Sequence, residues 1–176
     1  MNILLAFIIL LVYTLYVIRL GGSIPPSLSE SIFDVPYEKR WTWTATMFAV
    51  CVLCMPTIIE NTSTNTQFLA FFAVAAIAFV GAAPLCKYKE DTLQFNVHEK
   101  AALVAGVLSQ VVVFLNRPML LALWVIYATF FKKMTKTKLF WAEVVCFIST
   151  FLYCLCNLEI FHKIDSYLKA LTIYFD

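Results

Sequence analysis

Charged residues are scarce in this chain of 176 residues: only 14% are Asp, Glu, Lys or Arg, whereas 62% are hydrophobic. Soluble domains carry about 25% charged and about 45–50% apolar residues, so this composition excludes an ordinary soluble domain. The apolar residues form long runs separated by short polar stretches, and a run of about 17–25 helical residues can cross a hydrocarbon core. The sequence therefore predicts an integral membrane protein.

Ionisable residues are almost absent from these runs, which is evidence against a proton-coupled transporter or a voltage sensor. The only histidines are His98 and His162, whereas a catalytic zinc site normally has three protein ligands. We therefore expect no metal site and no cofactor, and the chain contains no P-loop, dinucleotide fingerprint, nucleophile elbow or HExxH motif. A net charge of only +2 gives no support for nucleic-acid binding.

Six apolar segments are candidates for membrane helices. The fourth and fifth form one apolar stretch that Asn116-Arg117-Pro118 interrupts, because proline lacks a helix donor and disfavours the α region for the residue before it. The segments lie at residues 2–19, 41–59, 67–86, 99–115, 117–132 and 139–157.

After the last segment, apolar residues recur at helical spacing among charged ones, which is typical of an amphipathic helix at a membrane interface. We therefore expect an all-α fold in two parts. A polytopic membrane helix bundle with six transmembrane helices covers 1–157, and a C-terminal amphipathic interfacial helix covers 158–176.

Basic residues are concentrated in alternate connections between these segments. The first, third and fifth connections hold ten of the thirteen Lys and Arg residues, and the second connection holds none. Because Lys and Arg next to membrane helices favour the cytoplasmic side, the sequence predicts three cytoplasmic connections and extracytoplasmic N- and C-termini.

The first connection, residues 21–36, is long and combines apolar residues with hydroxyls and carboxylates. Its Ile24, Leu28, Ile32 and Phe33 can pack it back against the bundle, and loops of this length are often functional. Its polar residues can cap a short interfacial helix, or they can contact a ligand or a lipid headgroup, and the two roles are compatible. These candidate ligand-binding residues are Ser27, Ser29, Glu30 and Asp34.

His98 lies near acidic residues at the start of a predicted membrane helix, so it is a further candidate for ligand binding or for acid–base chemistry. The simpler alternative is a histidine that hydrogen-bonds the start of its helix. If the chain is an enzyme, the candidate catalytic residues are His98, Asp91 and Glu143. Glu143 lies about one turn inside the last segment, where it would face Ser109 and Gln110 or reach toward Lys138.

The same region resembles a known family. The pattern is similar to the signature of DRAM/Frag-type and related small bacterial six-helix membrane proteins. It consists of a Gly-x-x-Pro at the end of one helix, an acidic loop, and a His followed by an Ala pair. The resemblance implies a six-helix architecture and no particular activity. It is carried by Gly81, Pro84, Asp91, His98, Ala101 and Ala102.

Six cysteines are present, and Cys51-x-x-Cys54 lies within an apolar segment. Because nothing polar surrounds these two thiols, the sequence predicts small packing residues. A membrane thiol oxidoreductase or a structural disulfide is the alternative.

These features predict a non-enzymatic integral membrane protein that binds lipid or a partner subunit through a cytoplasmic polar face. The expected partners are membrane lipids, together with a second copy of the chain or another membrane subunit. One alternative is a lipid-modifying enzyme that uses His98 with a carboxylate. Another is a channel or transporter subunit, which would have to oligomerise because six helices with few polar residues offer little pore.

Overall fold

The computed structural model describes residues 2–82, 92–131 and 133–156. All regular secondary structure in these ranges is helical, which confirms the predicted all-α class. Five segments of the described ranges are long and apolar enough to cross a membrane, in agreement with an integral membrane protein. The α-helices are α1 Asn2–Gly21, α2 Trp41–Asn61, α3 Gln67–Gly81, α4 Thr92–Asn116, α5 Ala122–Ile126 and α6 Lys138–Cys156. The predicted amphipathic helix over 158–176 lies outside the described residues.

The fifth predicted segment differs most from its prediction. Instead of one helix over 117–132, it consists of a 3-10 helix Pro118–Leu121, the short α5 and a π-helix Tyr127–Phe131. Arg117 has φ −149° and ψ 67°, because the proline that follows disfavours helical backbone before it. Two other bounds differ from the approximate predicted ones. The helix α3 is described to Gly81, and the predicted end near residue 86 lies outside the described residues, whereas α4 includes residues from Thr92, seven before the predicted start.

The long helices pack in a circuit. The helix α1 packs against α2, α2 against α3 and α3 against α4, and α6 packs against both α4 and α1. Aromatic contacts join neighbours: the rings of Tyr13 and Trp43 lie 5.2 Å apart between α1 and α2, and those of Phe7 and Phe151 lie 5.4 Å apart between α1 and α6. The candidate site lies between these helices.

Hydrogen bonds show which helix ends lie together. The backbone N–H of Phe140, at the start of α6, donates to the carbonyl of Pro26 in the first connection. The side chain of Asn61, at the end of α2, donates to the carbonyl of Cys154 near the end of α6. We call the end that contains the first connection and the start of α6 the polar end, and the other the opposite end.

The first connection is folded onto the bundle. Its Leu28 and Ile32 are 2% and 1% exposed, and both belong to the hydrophobic core. Burying these two side chains removes apolar surface from water, which is the reason for the predicted packing. Ile24 is exposed and Phe33 is partly buried, so two of the four side chains predicted to pack against the bundle are fully buried. A 3-10 helix, Glu30–Asp34, shapes the connection as it crosses the bundle end.

The helices α2 and α3 approach each other closely near the polar end. A Cβ atom added to Gly81 would lie 2.9 Å from Cβ of Met47, so glycine is required for this spacing. The approach allows the hydroxyl of Thr44 to donate to the carbonyl of Gly81 at 2.8 Å. The end of α3 is thereby fixed against α2, beside His98.

Cys51 and Cys54 are buried free thiols, as expected of packing residues. The thiol of Cys51 lies 3.4 Å from the carbonyl of Val74 on α3. All cysteines within the described ranges are free, and Cys86 lies outside them.

Candidate functional site

Glu143 is the centre of a hydrogen-bond cluster between α6 and the first connection. The hydroxyl of Ser29 donates to its Oε1 at 2.9 Å, and the hydroxyl of Ser27 lies 3.1 Å from both carboxylate oxygens. The backbone N–H groups of Leu28 and Ser29 both donate to Oε2. A carboxylate is an acceptor only, so these four donors match its chemistry.

These contacts of Glu143 differ from both of the alternatives that the sequence predicted. The side chain hydrogen-bonds neither to Ser109 and Gln110 nor to Lys138, but to the first connection, which lies 114–116 residues earlier in the sequence. Consecutive backbone N–H groups form a concave site for an anion, and here the protein's own carboxylate occupies it. The contact ties the first connection to α6.

The two serines form hydrogen bonds within the protein. Ser29 is the N-cap residue of the 3-10 helix but makes no side-chain cap hydrogen bond, whereas the hydroxyl of Ser27 accepts from the backbone N–H of Glu30 at 3.2 Å. The hydroxyl oxygens of Ser27 and Ser29 lie 2.8 Å from each other, and both hydroxyls lie within hydrogen-bonding distance of Glu143. Their hydroxyls therefore serve the internal cluster, although both residues also line the cavity described below.

His98 lies at the polar end and is only 4% exposed. Its Nδ1 lies 3.2 Å from the carbonyl oxygen of Val80, at the end of α3. The predicted pairing of His98 with a carboxylate is not formed among the described residues, where Nε2 has no hydrogen-bond partner. The histidine is held by backbone instead, because the last carbonyls of a helix have no partner within the helix.

A half-open cavity of about 780 Å³ lies between the helices. Its walls are chiefly apolar side chains of α2, α3, α4 and α6, and its polar lining includes Ser27, Glu30, His98 and Glu143 at the polar end. Along α4 the lining residues extend from Phe95 to Phe114, which is about 28 Å at 1.5 Å per residue. The cavity thus follows most of a hydrocarbon core of about 30 Å.

A second polar group lies midway along the cavity, around Gln110 on α4. Its Oε1 accepts from Nε1 of Trp124 at 2.9 Å and from the hydroxyl of Ser149 at 3.0 Å. Its Nε2 lies 3.3 Å both from the carbonyl of Cys146 and from the hydroxyl of Ser109. The amide is fully satisfied, and it connects α4 with α5 and α6.

The remaining candidates divide between the cavity wall, the surface and the undescribed part of the chain. Glu30 is partly buried and lines the cavity, whereas Asp34 is exposed and does not line it. Asp91 lies outside the described residues. Within the described ranges no group of three or more His, Cys, Asp or Glu is placed to hold a metal ion.

Sequence reasoning missed the cavity itself and two residues that shape it. Trp124 was not singled out, and its hydrogen bond to Gln110 could not be predicted from a segment without regular helical spacing. Trp43 is 1% exposed, lines the cavity and donates through Nε1 to the carbonyl of Val80. The indole N–H of a buried tryptophan usually needs a hydrogen-bond acceptor. This requirement is the one signal in the sequence that could have indicated a contact of this kind.

Comparisons of the chain with protein-family models, with curated proteins and with solved structures each find no match. The geometry of the site is therefore the basis for a functional proposal.

Proposed function

We propose that this protein is a multi-pass membrane protein that binds one amphipathic lipid inside its helix bundle. The acyl part of the lipid fills the cavity, and its headgroup lies at the polar end beside His98 and the first connection. The observation that carries this proposal is the cavity: it is large, its walls are apolar over most of its length, and its polar lining is concentrated at one end and around Gln110.

The size and lining of the cavity support a lipid as the occupant. Ligand sites of about 300–1,000 Å³ with mostly apolar walls and a few polar groups are typical of small-molecule binding, and about 780 Å³ lies within that range. Protein interiors are otherwise close-packed, because unfilled space forfeits dispersion contacts. In a membrane the abundant molecules with matching chemistry are lipids.

The polar groups along the cavity give less support to a channel. Gln110 directs all of its hydrogen bonds to other protein groups, and Glu143 is surrounded by donors from the first connection. Polar side chains that line an ion pathway must instead interact with the ion or with water. The middle of the cavity therefore favours an apolar chain over a hydrated ion.

A lipid-modifying enzyme is the second candidate, and the position of His98 on the cavity wall favours it. In acyl-transfer triads, however, the histidine is oriented by a carboxylate and hydrogen-bonds to a nucleophile. Here Nδ1 contacts a backbone carbonyl, and Nε2 contacts no nucleophile among the described residues. This geometry supports binding over catalysis.

We also propose six crossings, with the polar end in the cytoplasm and both termini outside. Asn116 accepts a hydrogen bond from the backbone of Ser63, at the opposite end, whereas α6 starts at the polar end. Residues 117–137 therefore connect the two ends of the bundle, which supports a sixth crossing through the irregular fifth segment. Residues 158–176 follow as an amphipathic helix, and the basic residues of the three connections support a cytoplasmic polar end.

Single cysteines introduced at exposed sites test this topology. In intact cells, we expect a membrane-impermeant maleimide to label Thr64→Cys, and to label Lys39→Cys only after permeabilisation. Both positions are exposed in the structure, and they lie in the second and first connections. The parent protein, which has only its native cysteines, is the control. Labelling of Lys39→Cys without permeabilisation would reverse the orientation.

Two substitutions of Gly106 test lipid binding. Gly106 lines the cavity, and an added Cβ would contact only Sγ of Cys146, at 3.8 Å. We expect Gly106→Leu to reduce the lipid retained by the purified protein about fivefold or more in native mass spectrometry, because forcing extra atoms into occupied space costs about 1–3 kcal/mol. Gly106→Ala is the matched control and should retain lipid like the unmodified protein.

Equal retention in the leucine and alanine variants would exclude this cavity as the lipid site. The mass of the retained lipid distinguishes the second candidate, because an enzyme would convert added lipid to a product of different mass. Loss of that conversion in a His98 variant that still binds lipid would favour the enzyme.

A further inference from the structure

The wall of the cavity differs from side to side in its exposure. On α2 and α3 the lining residues are buried, apart from Ile77, which is partly buried. On α4 and α6, in contrast, part of the lining is exposed. These exposed lining residues are Glu99, Lys100, Leu103, Val107 and Phe114 on α4 and Leu139 on α6. A side chain that lines the cavity and also lies on the surface of the molecule marks the place where the cavity opens.

The exposed apolar residues of α4 form one stripe. Leu103, Val107 and Phe114 follow one another at spacings of four and seven residues, so they lie on one face of the helix. They are 66%, 51% and 55% exposed. The stripe is about 16 Å long at 1.5 Å per residue, and it lies within Phe95–Asn116, a segment that is long and apolar enough to cross a membrane. The opening therefore runs lengthwise along α4 and faces the acyl chains of the bilayer.

Described residues cover both ends of the cavity. At the polar end Ser27 and Leu28 line it but are 0% and 2% exposed, and their hydrogen bonds to Glu143 hold the first connection in place. At the opposite end Ile58 and Phe151 line it and are 1% and 4% exposed. The exposed lining lies beside these covers, at the side of the bundle.

We propose that lipid enters this cavity sideways from the membrane, through an opening between α4 and α6 that Leu103 and Leu139 border. The acyl chain passes between the two helices, while the headgroup stays at the polar end, where Glu99 and Lys100 form a charged rim. This route keeps the chain out of water and leaves the charged groups at the interface. The inference rests on the proposed lipid binding and specifies the source of the lipid, which is the leaflet at the polar end.

Exchange of a labelled lipid tests this route. The purified full-length protein carries dioleoyl phosphatidylcholine as the probe and is mixed with an excess of mixed micelles that contain the chain-deuterated form of the same lipid. Native mass spectrometry follows the mass of the retained lipid with time, and it also gives the amount retained. An obstruction in the entrance slows entry and exit alike, so it changes the exchange rate and leaves the amount unchanged.

Substitutions of Leu103 should change the exchange rate in opposite directions. We expect Leu103→Trp to slow exchange about fivefold or more, because the larger side chain obstructs the passage, and Leu103→Ala to accelerate it about twofold or more. Val104 is the matched control position, since it is the next residue on α4 and is 44% exposed, but does not line the cavity. Val104→Trp and Val104→Ala should exchange lipid like the unmodified protein.

The outcomes separate the entrance from the function on which it rests. Equal exchange rates in Leu103→Trp and Val104→Trp would overturn the lateral entrance and leave lipid binding intact. Loss of retained lipid in Leu103→Trp without slower exchange would also overturn it, because Leu103 would then belong to the binding site and not to its entrance. If the unmodified protein retains no probe, or if Gly106→Leu retains as much, the probe is not in the cavity and the proposed function itself fails.

Discussion

Replacing Glu143 with alanine should lower the midpoint of thermal unfolding in detergent by roughly 6–12 °C. The substitution removes the acceptor for the buried backbone N–H groups of Leu28 and Ser29 and for two hydroxyls. Hydrogen bonds to charged groups contribute about 1.5–3 kcal/mol each and are not additive, so we expect a loss of about 3 kcal/mol. For a protein of this size, each kcal/mol corresponds to about 2–4 °C.

The first connection should be released locally by the same substitution. Hydrogen exchange at the amide of Leu28 should become faster in Glu143→Ala, because that amide would lose its acceptor. Glu38→Ala is the matched control: Glu38 lies in the same connection but is exposed, and its loss should change neither measurement. Equal midpoints for the two alanine variants would show that the Glu143 cluster does not stabilise the fold.

Replacing Gln110 with leucine should destabilise the bundle by about 1–3 kcal/mol, the second largest effect that we expect. The indole N–H of Trp124 would lose its acceptor, and nothing in the apolar surroundings could replace it. Since Gln110 connects α4 with both α5 and α6, the fifth segment should be the part that loosens. The measurement is thermal unfolding, together with proteolysis at residues 133–137 between the fifth segment and α6.

Trp124→Phe provides the control for this interaction. It removes the indole donor but leaves Gln110 with Ser149, Cys146 and Ser109, so its effect should be smaller. The double variant should lose less stability than the two single variants lose together, because both substitutions remove the same hydrogen bond. Strict additivity would mean that Trp124 and Gln110 do not stabilise each other.

The membrane helices were predictable because length and hydropathy are local properties of the sequence. The first, second and sixth predicted segments agree with α1, α2 and α6 to within two residues at each end. The fifth segment is the exception: its hydropathy is that of a membrane helix, but Pro118 disrupts its first turn and its last turn is a π-helix. Hydropathy reports burial in lipid and carries little information about backbone geometry.

The candidate site was predictable only as a set of residues on one face. Alternating basic connections indicated that Ser27, His98 and Glu143 share one side of the membrane. In the structure Ser27 hydrogen-bonds to Glu143, and His98 lines the same cavity as these two residues. The hydrogen-bond partners that the structure shows for Glu143 and His98 could not be predicted, because side-chain and backbone donors far apart in sequence compete for the same acceptor. The outcome depends on distances that no periodicity encodes.

The sequence by itself determined that this protein lies in a membrane, that it is helical and where most of its helices lie. The reason is that the backbone N–H and C=O groups of an apolar segment in lipid must hydrogen-bond to each other. The sequence also determined that the first connection would pack back, since Leu28 and Ile32 are apolar. Only the tertiary structure decided that Glu143 ties this connection to α6, that Nδ1 of His98 contacts the carbonyl of Val80, and that the helices leave a cavity between them. The reason is that a cavity and the partners of these side chains depend on the spacing between helices, and this spacing results from all contacts together.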